Sequence, residues 1–232
     1  MKTIGLLGGM SWESSAEYYC ILNQTVKARL GGLHSARCLL YSVDFAEIEA
    51  LQRSGNWEKL TQTMIEASQK LENAGADCLL ICTNTMHRMA PEIEAAIEIP
   101  LLHIADAAGD AIAARGIKTV GLLGTRFTME GDFYRKRLEE KFDLEVLIPN
   151  DAERDIVHRV IYNELVKGEI REASRQAYLV VVDGLQSRGA EGVILGCTEI
   201  PLLVRQADTQ LPLFDTTRLH AEAAVDWALA VK

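Results

Sequence analysis

The sequence predicts an α/β protein of two pseudo-symmetric lobes, each a mostly parallel four-stranded sheet wrapped by helices. Three observations carry that prediction: an internal duplication, an alternation of short apolar runs with longer helical segments, and no Pro/Gly/Ser-rich linker between the halves. Thr3-Ile-Gly-Leu-Leu-Gly8 returns as Thr119-Val-Gly-Leu-Leu-Gly124, and Gly75-Ala-Asp-Cys-Leu-Leu-Ile-Cys-Thr-Asn-Thr85 returns as Gly189-Ala-Glu-Gly-Val-Ile-Leu-Gly-Cys-Thr-Glu199. Ile99-Pro-Leu-Leu-His103 and Leu211-Pro-Leu-Phe-Asp215 follow in the same order. One unit of roughly 115 residues has been used twice.

In chain order, residues 4–7, 36–43, 78–82 and 101–104 read as buried strands of the first half. Residues 119–123, 144–148, 192–195 and 213–214 read as those of the second. Each is a branched apolar run beside Gly, Pro or Asp. Between them, 13–29, 57–74, 91–97, 129–141, 154–167 and 170–188 carry helical apolar spacing. The last helix, 217–230, is expected to return to the first lobe, so the lobes are expected at 1–105 plus 215–232 and at 106–214.

With 232 residues, 48% of them hydrophobic, the chain can bury a sizeable core. Its net charge of -9 argues against partners that are themselves anionic, so neither nucleic acid nor membrane is expected. The start of the sequence lacks a signal-peptide pattern, and five cysteines form no CxxC pair. Free thiols in a cytoplasmic protein are expected, without structural zinc or any other metal.

When the copies are superposed, Cys197 falls on Thr83, each at the end of an apolar strand, where α/β proteins place their chemistry. Cys82 is one residue out of register. Since successive strand side chains alternate, Cys82 is expected to pack rather than share the site, with Cys20, Cys38 and Cys78 in the core. A lone cysteine after an apolar strand is often only a buried thiol; here glycine precedes Cys197 and polar residues follow it. Gly8-Gly9-Met10-Ser11 joins a strand to a helix, where free N–H groups favour an anion, and Gly124-Thr125 repeats it. The same loops also read as tight turns. Neither GxGxxG nor a phosphate-loop lysine is present, so a nucleotide cofactor is not expected. Asn84, Thr85, Thr198 and Glu199 are either helix caps or ligand contacts. Trp12, Tyr18, Tyr19 and Trp57 read as core, and the five histidines as core or surface, with His87 and His103 set apart by their place in the motif segments.

Gly8-Gly9-Met10-Ser11, Cys82-Thr83-Asn84-Thr85-Met86-His87, Gly124-Thr125 and Gly196-Cys197-Thr198-Glu199 together resemble the cofactor-independent aspartate/glutamate racemases. The resemblance spans essentially the whole chain and is strongest to the bacterial branch described as L-aspartate/glutamate-specific or broad-specificity amino acid racemases. It implies an isomerase with no cofactor, an amino acid substrate, a homodimer and an active site in the cleft between lobes. In that family two cysteines flank the substrate Cα, one removing a proton and the other returning one to the opposite face. By position, Cys197 is the base for the L-enantiomer, and Thr83 replaces the second cysteine. Gly9, Met10 and Ser11, with Asn84, Thr85, Thr125 and Thr198, are expected to bind substrate, and Glu199 to assist Cys197.

The sequence departs from the family twice. A threonine hydroxyl is a far weaker acid than a thiol, so Thr83 suits donation better than abstraction. The arginine and lysine that hold the distal carboxylate in archaeal-type aspartate racemases are also out of place: Phe45 stands near the first, and Lys167 lies one residue off the second. Gln52, Arg53 and Lys167 are the candidate replacements. Two alternatives stay open, a single-cysteine decarboxylase of the same superfamily and a non-catalytic amino acid binding protein.

Overall fold

The computed structural model describes residues 1–230. Its chain divides into two units, one of Met1–Ile104 with the described part of His220–Lys232, the other of Ala105–Leu219.

The first unit runs β1 (Ile4–Gly8), α1 (Trp12–Leu30), β2 (Cys38–Ser42), α2 (Phe45–Arg53), α3 (Trp57–Asn73), β3 (Cys78–Ile81), a 3-10 turn (Thr85–Met89) and α4 (Ala90–Glu94). Its parallel sheet has the order β2-β1-β3. After α5 (Ile104–Ala113), the second unit continues with β4 (Thr119–Gly124), α6 (Arg126–Glu130), α7 (Asp132–Phe142), β5 (Glu145–Leu147), α8 (Asp151–Asn163), α9 (Glu172–Ser187), β6 (Gly192–Gly196), α10 (Ile200–Leu203) and β7 (Leu213–Asp215), and α11 (Thr216–Ala230) starts in it and belongs to the first unit from His220 on. Its parallel sheet has the order β5-β4-β6-β7.

The expected four strands hold for the second unit; the first has three. Its fourth reduces to a bridge between Leu79 and Leu101, because Ile104 already opens a helix and Leu102 O turns to the His220 imidazole, 2.7 Å away. The helix expected at 129–141 is two helices broken at Gly131, where an added Cβ would lie 2.6 Å from Phe127 O. The α8 helix starts ahead of expectation because Asn150 and Glu153 form a capping box, and it stops at Asn163. Helices α2 and α5 were not foreseen; Asp44 caps α2 through Ala46 N–H at 3.0 Å.

Alternation of side chains divides the first core. Leu7, Leu79 and Ile81 pack with Leu60, Met64 and Leu71 of α3, whereas Ile4, Leu6, Cys78, Leu80 and Cys82 pack with α1 and α11 through Tyr18, Leu22, Val26, Ala224 and Val225. In the second unit Leu123, Val193 and Leu195 meet Val157 and Ile161 of α8 and Tyr178, Val182 and Leu185 of α9. Each fully buried aliphatic side chain contributes about 1.5–3 kcal/mol. The core assignment fails for Trp12, 68% exposed, and for Tyr19 and Cys20, also exposed, which lie on the solvent side of α1; Cys38 is only half-buried.

Duplication is visible in individual hydrogen bonds. In the first unit Asp77 N–H donates to Thr3 O at 2.8 Å, Leu79 N–H to Pro100 O at 2.9 Å and Ala76 N–H to Leu71 O at 3.1 Å. In the second, Glu191 N–H donates to Thr119 O at 2.8 Å, Val193 N–H to Pro212 O at 2.9 Å and Ala190 N–H to Leu185 O at 3.1 Å. The two acidic side chains recur as well, Asp77 accepting from Thr3 N–H at 2.6 Å and Glu191 from Thr119 N–H at 3.1 Å.

Gly9 is the tightest backbone position after β1. Its φ is +89°, and an added Cβ would lie 2.3 Å from Val43 O. Gly31, beyond α1, also has positive φ but open space around it. Gly31→Ala should therefore cost only the positive-φ backbone conformation, about 1–3 kcal/mol. Gly9→Ala should cost more, about 3 kcal/mol or above, because the Val43 backbone must also move. Thermal unfolding checks the ranking at ~2–4 °C per kcal/mol; equal melting temperatures would contradict it.

Candidate active site

In each unit the first strand lies between the second and the third, so successive crossovers leave it in opposite directions. The carboxyl ends of the first and third strands then flank the topological switch point, where open α/β sheets bind ligands. The motif loops occupy these ends: Gly8–Ser11 and Cys82–Thr85 after β1 and β3, Gly124–Thr125 and Gly196–Glu199 after β4 and β6.

Register makes the correspondence quantitative. Gly5 pairs with Leu79 in one sheet and Gly121 with Val193 in the other. Counting forward, Cys82 matches Gly196 and Thr83 matches Cys197. Burial agrees, since Cys82 and Gly196 are buried while Thr83 and Cys197 are both half-buried. Cys82 sits in the α1 and α11 cluster, and complete burial pushes its thiol far above the ordinary range.

Around the first motif, Ser11 caps α1 by accepting Ser14 N–H at 3.3 Å. Gly9 N–H donates to Ser15 Oγ at 2.8 Å, and Ser15 Oγ donates to Ser11 O at 3.0 Å. Ser14 Oγ donates to Cys82 O at 2.9 Å, tying the loop after β1 to the loop after β3. Ser14 and Ser15 are not singled out by the sequence, because two serines in the first turn of a helix are ordinary there and only their bonds to Cys82 O and Gly9 N–H set them apart. Met10, Asn84 and Thr85 are buried, and Asn84 makes no capping bond to the following turn. Gln52 is buried on α2, apart from these loops in sequence. His87, buried in the 3-10 turn, reaches Thr83 O with Nδ1 at 2.8 Å.

Around the second motif, Thr125 caps α6 through Thr128 N–H at 3.3 Å. Cys197 Sγ donates to Glu199 Oε2 at 3.0 Å, and Thr198 Oγ1 donates to the same oxygen at 2.7 Å. Glu199 makes no capping bond to α10. Burial raises the Cys197 thiol well above its ordinary range, and the charge and hydrogen bond of Glu199 raise it further. Thr83 and Cys197 belong to different units.

The basic candidates are occupied or exposed. Arg53 pairs with Glu49 on the exposed side of α2, and Lys167 is exposed in a 3-10 turn. Phe45 packs against the first core. Arg126, next to Thr125, bonds Asp155 at 2.6 Å and Asp151 at 3.1 Å and also pairs with Glu130. Among the described residues no group of three His, Cys, Asp or Glu is placed to hold a metal, and no helix is long and apolar enough to cross a membrane.

Known proteins share this arrangement. The family model described as Asp/Glu/Hydantoin racemase matches residues 7–224. The broad specificity amino-acid racemase RacX of Bacillus subtilis (strain 168) is 25% identical over 236 residues, covering 98% of each chain. A crystal structure from Yersinia pestis, provisionally described as an Asp/Glu racemase, is 55% identical with a TM-score of 0.93, covering 99% of this chain and 100% of that one. An aspartate racemase homologue from Pyrococcus horikoshii OT3 is 35% identical with a TM-score of 0.86 over 99% and 100% of the two chains. This chain belongs to the Asp/Glu/Hydantoin racemase family and is an isomerase, an amino acid racemase of the kind that works without pyridoxal phosphate.

Proposed function

We propose that the chain inverts free amino acids by 1,1-proton transfer at Cα, with Cys197 and Thr83 acting on opposite faces of the substrate. The observation that carries this reading is their equivalence in register: both half-buried side chains stand four residues beyond the strand residues paired with Gly5 and Gly121, Leu79 of β3 and Val193 of β6. Thiolate Cys197 takes the Cα proton of the L-enantiomer. The electron pair left behind spreads into the carboxylate, and Thr83 Oγ1 gives a proton to the other face, recovering one from water. Gly9, Met10 and Ser11, with Asn84, Thr85, Thr125 and Thr198, bind substrate polar groups, and donors to the carboxylate offset charge that grows there on deprotonation. Glu199 accepts the thiol proton's hydrogen bond and faces the substrate ammonium.

Specificity follows from the basic side chains. Phe45 packs against the first core and Arg126 is held by three carboxylates, which supports a broad range over aspartate alone. Gln52 serves as a neutral contact for the side chain. The five free cysteines favour a cytoplasmic setting, and the family resemblance a homodimer.

Cα deuteration during inversion in deuterium oxide separates this reading from its rivals, since a binding protein labels nothing and a decarboxylase releases carbon dioxide from a malonate. Cys197→Ser should lower deuteration of L-substrates by about 10²–10⁴-fold with the fold intact; an unchanged rate would sink the assignment. Activity should rise with pH as Cys197 ionises, with a midpoint above the ordinary thiol value of about 8.5. Glu199 raises that midpoint, so Glu199→Gln should move it to lower pH; a midpoint that stays or rises would contradict the assigned role. Across a panel of L-amino acids, L-aspartate should exceed L-homoserine in kcat/KM by less than about 10²-fold; a margin of 10⁴ or more would indicate a dedicated carboxylate clamp.

A further inference from the structure

We propose that His87 is the positioning residue for Thr83: its imidazole holds the peptide that carries the threonine hydroxyl and fixes where the second proton is delivered. This rests on the two-face reading of the site. His87 is 1% exposed in the 3-10 turn, four residues after Thr83. Its Nδ1 lies 2.8 Å from Thr83 O, and its Nε2 lies 3.2 Å from Ile104 N. A carbonyl can only accept and an amide N–H can only donate, so the ring is neutral, donating from Nδ1 and accepting at Nε2. It therefore fastens the bend after β3 to the segment beyond the Leu101 bridge.

That segment is held from its other side. His220 takes the Tyr18 hydroxyl at Nδ1, 2.8 Å away, and donates from Nε2 to Leu102 O at 2.7 Å. His103, between the two anchored residues, lies with its ring centroid 4.5 Å from that of His87. Thr83 follows the last strand residue by two positions and lies on a bend, outside the regular ladder. The His87 bond to its carbonyl restricts rotation of the peptide, and with it the direction of the side chain.

Among the described residues no imidazole holds the matching carbonyl in the second unit: Cys197 O accepts Ile200 N–H at 3.2 Å within its own turn. The residue matching His87 is Pro201, which carries no ring donor or acceptor, and Cys197 is held by Glu199 through its side chain. Loss of His87 should therefore impair delivery at Thr83 and spare abstraction by Cys197.

Two reactions separate the faces. β-Chloro-L-alanine loses its Cα proton to Cys197 and then expels chloride, leaving aminoacrylate, which hydrolyses to pyruvate and ammonium; no proton from Thr83 is consumed. Racemisation of L-homoserine needs both faces. In His87→Ala, racemisation should fall by about tenfold or more while elimination stays within about threefold of the parent, since small misplacements of a proton donor cost rates of this order. His87→Asn, whose Nδ2 sits where Nδ1 donated, should recover most of the lost racemisation. An equal fall in both reactions would make His87 a general support of the fold, and no change in either would remove it from the site. If His87→Ala does not fold, His87→Asn against His87→Gln decides: Asn should keep the higher ratio of racemisation to elimination, and equality or reversal overturns the proposal. A parent enzyme that neither racemises nor eliminates would instead overturn the two-face reading.

Discussion

The parallel register of the first and third strands in each unit is the constraint on which the rest depends. Parallel ladders are evenly spaced, so pairing Gly5 with Leu79 and Gly121 with Val193 fixes how far each strand reaches before its loop begins. A one-residue slip would turn every side chain of β3 or β6 to the other face. It would also bring Cys82 out of the α1 and α11 cluster and push Thr83 into it. The bonds that Thr3 N–H donates to the Asp77 carboxylate and Thr119 N–H to the Glu191 carboxylate pin that register at the opposite end of the strands.

On this shared frame the two units diverge where chemistry is expected. Cys197 is governed through its side chain, by a carboxylate within hydrogen-bond reach. Thr83 is governed through its backbone, by an imidazole four residues on. The difference suits the two groups. A thiol can ionise, so a neighbouring charge changes its occupancy as base. A threonine hydroxyl does not ionise in the useful range, and only its position can be tuned.

Much of this was legible from the chain. The duplication shows in three segment pairs, and the displacement of Cys82 from Thr83 follows from strand alternation. What escaped was local or collective. The loss of the fourth strand in the first unit depends on His220, far away in sequence, taking Leu102 O. The break at Gly131 depends on the close approach of Phe127 O. Ser14 and Ser15 pass as ordinary first-turn residues until Cys82 O and Gly9 N–H are seen beside them. His87 could be set apart from the other histidines by its place in the motif, but its tautomer and its hold on Thr83 exist only in the folded chain. Ion pairing is hidden for another reason: a sequence shows that Arg53 or Arg126 is present, not that an acidic neighbour stands beside it.

Replacing a thiol by a hydroxyl invites the thought of a one-way enzyme, and thermodynamics forbids the simple form of it. Enantiomers have equal free energy in water, so kcat/KM must be the same from either side, and a poor group at Thr83 raises the same barrier in both directions. The asymmetry must instead appear in kcat and KM separately, through the depth at which each enantiomer and each protonation state of the enzyme rests. On the proposed reading, the L-enantiomer meets a base tuned by burial and by Glu199, whereas the D-enantiomer meets a hydroxyl that must first lose its proton. An apparently one-way assay then reports weak saturation or slow return of a proton to the resting enzyme. Under this constraint the hold of His87 on Thr83 bears on both directions equally, and no alteration of that hold can favour one hand in kcat/KM.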